Sequence, residues 1–187
     1  MLFRSGWPLN DESFDYDVTV SQERLSDEGK YAIFRISFKI MDEITMTGLL
    51  LKYNDDEKRP FVISQHGGLG TPELIAGVYG DTCNYNEMTQ RILSLGANVF
   101  APQLLLWQQE DYGVDYDRIA IDAKLKRVGS SITAIEIFGI TKIIDYFEKT
   151  GLCYKYRNDR IILRRILYVI YVSRRYQNKI SNFLLIL

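Results

Sequence analysis

An α/β fold is predicted, and three observations predict it. Two runs, Tyr31–Ile40 and Ile44–Lys52, alternate roughly between apolar and polar residues, the period of half-buried strands. A third run, Pro60-Phe61-Val62-Ile63-Ser64-Gln65, is apolar until it stops at His66-Gly67-Gly68-Leu69-Gly70, as a buried strand does when it delivers a tight turn. Farther on, Ile132, Ile135 or Glu136, Gly139 or Ile140, Ile143 or Ile144, and Phe147 recur at the helical period.

Each element follows in order. Residues 1–30 are a polar lead-in, with Asp11, Glu12, Asp15 and Asp17, and read as a solvated surface arm. Only Met41-Asp42-Glu43 separates the two alternating runs, so they form an antiparallel hairpin. The charged stretch 53–60 is a turn, and Pro60 suits the first position of the next strand better than its middle. After the glycine loop, Asn84 and Asn86 offer caps for a helix over about 85–95, its apolar face carrying Met88, Ile92 and Leu95, and Gly96 closes it. Residues 97–102 make a short buried strand, parallel to the one before, with that helix as crossover. No clean period runs through 103–129, which holds Trp107, Asp111, Asp115, Asp117 and the pair Arg118 and Asp122; it reads as a long connection, with Trp107 either in a substrate loop or simply packed. Ser130 or Ser131 caps the final helix, Gly139 within it permits close approach to the sheet, and Gly151 ends it.

Composition excludes several classes of function. With 187 residues, 47% of them hydrophobic, the chain builds one domain with a sizeable core. A net charge of −1 gives no case for nucleic acid or an anionic membrane surface, and no apolar run reaches the length of a membrane span. Cys83 and Cys153 form no disulfide framework or metal knuckle, and a single histidine, His66, excludes a multi-histidine metal site, so no metal and no cofactor is expected. Sparse cysteines and the absence of a signal-like amino terminus point to a reducing, cytoplasmic setting.

The chemistry lies in the glycine loop. Glycines let main-chain N–H groups come close to a ligand and face developing negative charge, which is what an oxyanion hole requires. The order of a hairpin, a strand ending in HGGLGTPE, a helix near YNEMTQRIL, a strand NVFAPQ, an LLLW loop and a helix SSITAIEI resembles the amino-terminal half of the α/β hydrolases, in the acetyl xylan esterase and dienelactone hydrolase-like branch. The resemblance covers roughly residues 30–150 and implies an incomplete α/β-hydrolase sheet with an amino-terminal hairpin and crossover helices. It also implies that Gly67 and Gly68 supply oxyanion donors, that His66, Leu69 and Trp107 lie in substrate loops, and that the substrate is a small ester. Placed in that loop, His66 shapes the turn or touches substrate and does not take the role of base.

What the family needs next is a strand at about 157–163 opening into Gly-x-Ser-x-Gly, then an acid and a histidine. Residues 157–173 carry no glycine, and Ser173 stands between Val172 and Arg174. Composition changes here too: from Gly151 onward eight basic residues face only Asp159. The domain is therefore expected to span 31–153, with 154–187 an aberrant basic tail read out of frame. Shifting possible codons forward by one base lets Arg160, Ile161, Ile162, Leu163, Arg164 and Arg165 read Gly-Leu-Ser-Tyr-Gly-Gly, the missing elbow. The expected product is a truncated, inactive esterase-type hydrolase that self-associates through an uncovered sheet. The alternative is a non-catalytic partner protein that docks through its basic carboxyl end.

Overall fold

The computed structural model describes residues 7–9, 13, 16–67, 70–78, 85, 87–107, 116–152 and 169–170. Strands β1 (Thr19–Asp27), β2 (Tyr31–Met41), β3 (Ile44–Tyr53), β4 (Phe61–Gln65), β5 (Asn98–Pro102) and β6 (Val169–Ile170) form one open sheet in the order β1-β2-β3-β5-β4-β6. Helices α1 (Pro72–Ala76), α2 (Met88–Ser94), α3 (Arg118–Arg127) and α4 (Ile132–Lys149) are interspersed with the strands. Antiparallel pairing runs from β1 to β5, while β4 is parallel to both β5 and β6. The architecture is thus a mixed α/β sheet left open, with the expected hairpin closed by Asp42 and Glu43.

Period-two burial divides the strand side chains between two cores. Ile36, Phe38 and Ile40 of β2, Met46 and Leu50 of β3, Ile63 of β4 and Phe100 of β5 pack with Ile135, Phe138, Ile140, Ile143 and Phe147 of α4. Alternate positions, including Ile33, Leu49, Leu51 and Val99, pack with Ala76 of α1 and Ile92 and Leu93 of α2. The first core has an aromatic centre. Phe147 lies 4.7 Å from Phe61, 5.6 Å from Phe100 and 5.7 Å from Phe38, ring centre to ring centre, within the range of favourable tilted and edge contacts. Helix α4 comes close to the sheet at Gly139, where a Cβ would sit 2.1 Å from Met46 Sδ and 2.8 Å from Ile40 Cδ1. Ser131 is its cap, accepting from the Ala134 N–H, whereas Ser130 Oγ donates to the Trp7 carbonyl.

Four expectations change. Thr19–Asp27, read as part of the solvated arm, is a strand, held by main-chain pairing to β2 while its side chains are mostly exposed, so its polar sequence carries no alternation. Thr71-Pro72-Glu73, read as loop, starts α1: Thr71 Oγ1 accepts from the Leu74 N–H, Pro72 occupies the first turn and Gly77 closes the helix at φ 68°. In α2 the buried residues are Thr89, Ile92 and Leu93, and Leu95 is 76% exposed, because the helix stops at Ser94 and Leu95 lies in its closing turn. No side chain caps α2 at Glu87, and Asn84 and Asn86 lie outside the described residues. The connection 103–129 contains α3, which buries no residue and so has no apolar period to read; Asp117 caps it through the Ala120 N–H.

The next strand expected after α4, at 157–163, falls outside the described residues, as does most of 154–187. The described strand in that region is β6, whose Val169 and Ile170 pair with Ser64 and Gln65.

Candidate active site

Strands β4 and β5 run parallel, so their carboxyl ends open onto the same edge of the sheet, where the loops that follow them meet. In open α/β sheets that edge is where ligands bind. At the end of β4, Ser64 turns to α2 and shares a 2.9 Å hydrogen bond with Thr89. Gln65 Oε1 is buried and has no hydrogen-bond partner among the described residues.

His66 ties the two loops together. Its ring is 1% exposed; Nδ1 is 2.7 Å from the Gly67 carbonyl and Nε2 accepts from the Leu104 N–H at 3.1 Å. Because a carbonyl only accepts and an amide N–H only donates, both contacts are satisfied by one state, neutral imidazole with its proton on Nδ1. Burial pushes the His66 pKa below its ordinary value, partly countered by the bond to Gly67 and the charge of Glu73. The Gly67 carbonyl also accepts from the Gly70 N–H at 3.1 Å, which curls the loop. Only glycine fits at position 70, since a Cβ there would lie 1.9 Å from the Tyr85 hydroxyl and 2.9 Å from His66 Cβ.

The loop after β5 is held differently. Glu136 of α4, 7% exposed, accepts from the Leu105 N–H at 3.1 Å and from Arg118 Nη2 at 3.2 Å. Arg118 Nε donates to the Leu105 carbonyl at 3.2 Å, and its guanidinium carbon stands 4.2 Å from the centre of the Trp107 ring. Arg118 therefore pairs with Glu136, while Asp122, its expected partner, accepts from the Ile132 N–H and pairs with Lys126. Burial raises the Glu136 pKa, and the Arg118 charge opposes that rise. Between the pinned residues, Leu106 has φ 57°, a left-handed conformation that costs a non-glycine residue about 1–2 kcal/mol.

Of the residues singled out in the sequence, Gly67, His66 and Trp107 thus lie in these two loops, His66 reaching the loop after β5 through Leu104 and Trp107 standing against Arg118. Gly68 and Leu69 lie outside the described residues. Leu104, Arg118 and Glu136 were not foreseen in their roles. A backbone amide has no sequence signature, and Glu136 falls within the helical period beside Ile135. Among the described residues there is no cluster of three or more His, Cys, Asp or Glu able to hold a metal ion, and no helix is long and apolar enough to cross a membrane.

The chain thus combines an open mixed sheet and interspersed helices with a histidine-glycine loop after a strand paired in parallel. No protein-family model and no curated protein sequence matches the chain. Solved structures do. A candidate acetyl xylan esterase from Bacteroides fragilis NCTC 9343 superposes with a TM-score of 0.62 at 19% identity, over 78% of this chain and 42% of its own. Acetyl xylan esterase 1 from Thermoanaerobacterium sp. JW/SL YS485 gives 0.53 at 13% identity, over 74% of this chain and 43% of its own. The likeness is one of fold, and this chain spans less than half the length of either protein.

Proposed function

We propose that the chain carries the oxyanion-loop half of a serine-type carboxylic ester hydrolase and does not turn over esters as a 187-residue polypeptide. The observation that supports this most is the His66–Leu104 bond, which fixes the histidine-glycine loop at the carboxyl edge of β4 against the loop after β5. In a complete enzyme of this type, a serine hydroxyl loses its proton to a histidine and attacks the ester carbonyl. The C=O becomes a tetrahedral oxyanion held by backbone N–H groups, the alcohol leaves with the proton, and water then releases the acid. Gly67 and Gly68 are the residues proposed for those donors. His66 cannot serve as base here, since it is buried with both ring nitrogens engaged, and the 187 residues contain no other histidine and no Gly-x-Ser-x-Gly.

Residues 154–187 are, in this reading, the product of a shifted frame, and the apolar sheet left uncovered makes the chain self-associate. The gene supplies the first test: the adjacent frame should encode a glycine-serine elbow near residues 160–165, followed by an acid and a histidine. A shifted frame without that elbow overturns the reading. The second test is hydrolysis of 4-nitrophenyl acetate, expected to match that of the Gly67→Val/Gly68→Val variant. A burst of product abolished by changing one serine would show a working nucleophile and contradict it.

A further inference from the structure

Residues 105–107 form one wall of a cleft of about 250 Å³ beside β5, and they carry two penalties in adjacent positions. Leu106 has φ 57°, a conformation that the Cβ of a leucine resists. The Trp107 indole Nε1 is shielded from solvent and has no hydrogen-bond partner among the described residues. What offsets these penalties comes from outside the loop. Among the described residues, every hydrogen bond of 105–107 goes to Glu136 of α4 or Arg118 of α3: the Leu105 N–H donates to Glu136 at 3.1 Å, and its carbonyl accepts from Arg118 Nε at 3.2 Å. The same guanidinium stands 4.2 Å from the centre of the Trp107 ring and pairs with Glu136, while its side chain stays partly exposed. Leu104, one residue earlier, is fixed separately by His66. A segment that is costly in itself and restrained by one partly exposed side chain is poised to leave its conformation when that restraint goes.

We propose that residues 105–107 are a latched flap on the wall of the cleft, held down by Arg118 and pivoting at Leu104. When Arg118 lets go, Leu106 leaves the left-handed region, the Trp107 indole reaches water and the wall of the cleft moves. Arg118 is thus a positioning residue, acting on the cleft through Leu105 and Trp107. The flap stands on the loop's own geometry and does not rest on the function proposed above.

The test measures hydrogen exchange of the Trp107 indole N–H in the ¹⁵N-labelled full chain carrying Trp7→Phe, which leaves a single tryptophan. Arg118→Lys keeps a cation beside Glu136 but loses the planar fork and the stack. It should speed indole exchange about fivefold, while the Leu104, Val99 and Phe100 amides keep their rates. A second pair of variants acts on the backbone alone: Leu106→Gly, at ease in the left-handed region, should exchange about tenfold more slowly at the indole than Leu106→Val, whose branched side chain resists it. If the lysine variant sped all four protons together, Arg118 would stabilise the whole fold and no flap would exist. Unchanged indole exchange in the lysine variant, or a glycine variant no slower than the valine one, would likewise overturn the proposal. Because no turnover is read, either result leaves the oxyanion-loop reading untouched.

Discussion

Two loops meet at one edge of this sheet, and they are fastened by opposite kinds of chemistry. The loop after β4 is held by a neutral ring, His66, which gives one hydrogen bond and receives another. The loop after β5 is held by a charge pair, Arg118 and Glu136, whose carboxylate is buried in α4 and whose guanidinium is partly open to solvent. A neutral fastening survives burial without a counter-ion but fails when the ring must take a proton. An ionic fastening costs desolvation and depends on both partners being present. The difference teaches which perturbation should loosen each loop.

Removing the cation from the ionic fastening has the largest expected effect. Arg118→Ala leaves Glu136 buried without its partner and should cost about 3 kcal/mol in denaturant unfolding, whereas Glu136→Gln, which keeps an acceptor for Leu105, should cost less. Equal losses would show that the charge is immaterial and end the contrast between the loops.

Acid should single out the other loop. The folded-state pKa of His66 is depressed below the 6.5 of an ordinary imidazole, so below that pH the unfolded chain takes up a proton that the folded chain refuses. Stability is therefore lost as pH falls from 6.5 toward the folded pKa, by up to about 1.4 kcal/mol per pH unit. Glu136, whose pKa burial raises, titrates with the opposite sign, so the quantity to compare is wild type against His66→Gln across pH 5 to 7. Parallel pH profiles for the two would remove His66 from the account.

Smaller effects sharpen the comparison from the side of α3. Asp117→Ala removes the cap of the helix that begins with Arg118 and should cost about 1 kcal/mol, shifting the Trp107 indole resonance while leaving the Leu104 amide in place. Ile119→Ala, at a position 82% exposed on the same helix, should stay within about 0.5 kcal/mol of wild type by the same unfolding measurement.

What could be read from the sequence was what side-chain burial dictates. The hairpin, β4, β5 and α4 announce themselves because one face of each must be apolar, and the histidine-glycine turn announces itself because glycine marks where the chain bends. Elements without such a signal were missed. Strand β1 is mostly exposed and pairs with β2 through its main chain, with Val20 touching the first core; α1 buries Ile75 and Ala76 but spans only five residues, too few to show a period; and α3 starts at its Asp117 cap without any buried side chain. In the candidate site, His66 and Gly67 were legible as a loop, but the acceptor–donor match between an imidazole and an amide 38 residues away is a fact of the folded chain only.

That match gives the molecule a built-in reporter. The Leu104 N–H belongs to no ladder and no helix, yet it is buried and bonded to a ring that comes from the other side of the β4–α2–β5 crossover. Its exchange with deuterium therefore requires the two loops to part, whether or not the strands beneath them unzip. A Leu104 amide exchanging faster than those of Val99 and Phe100 would time the opening of the candidate site separately from unfolding of the sheet.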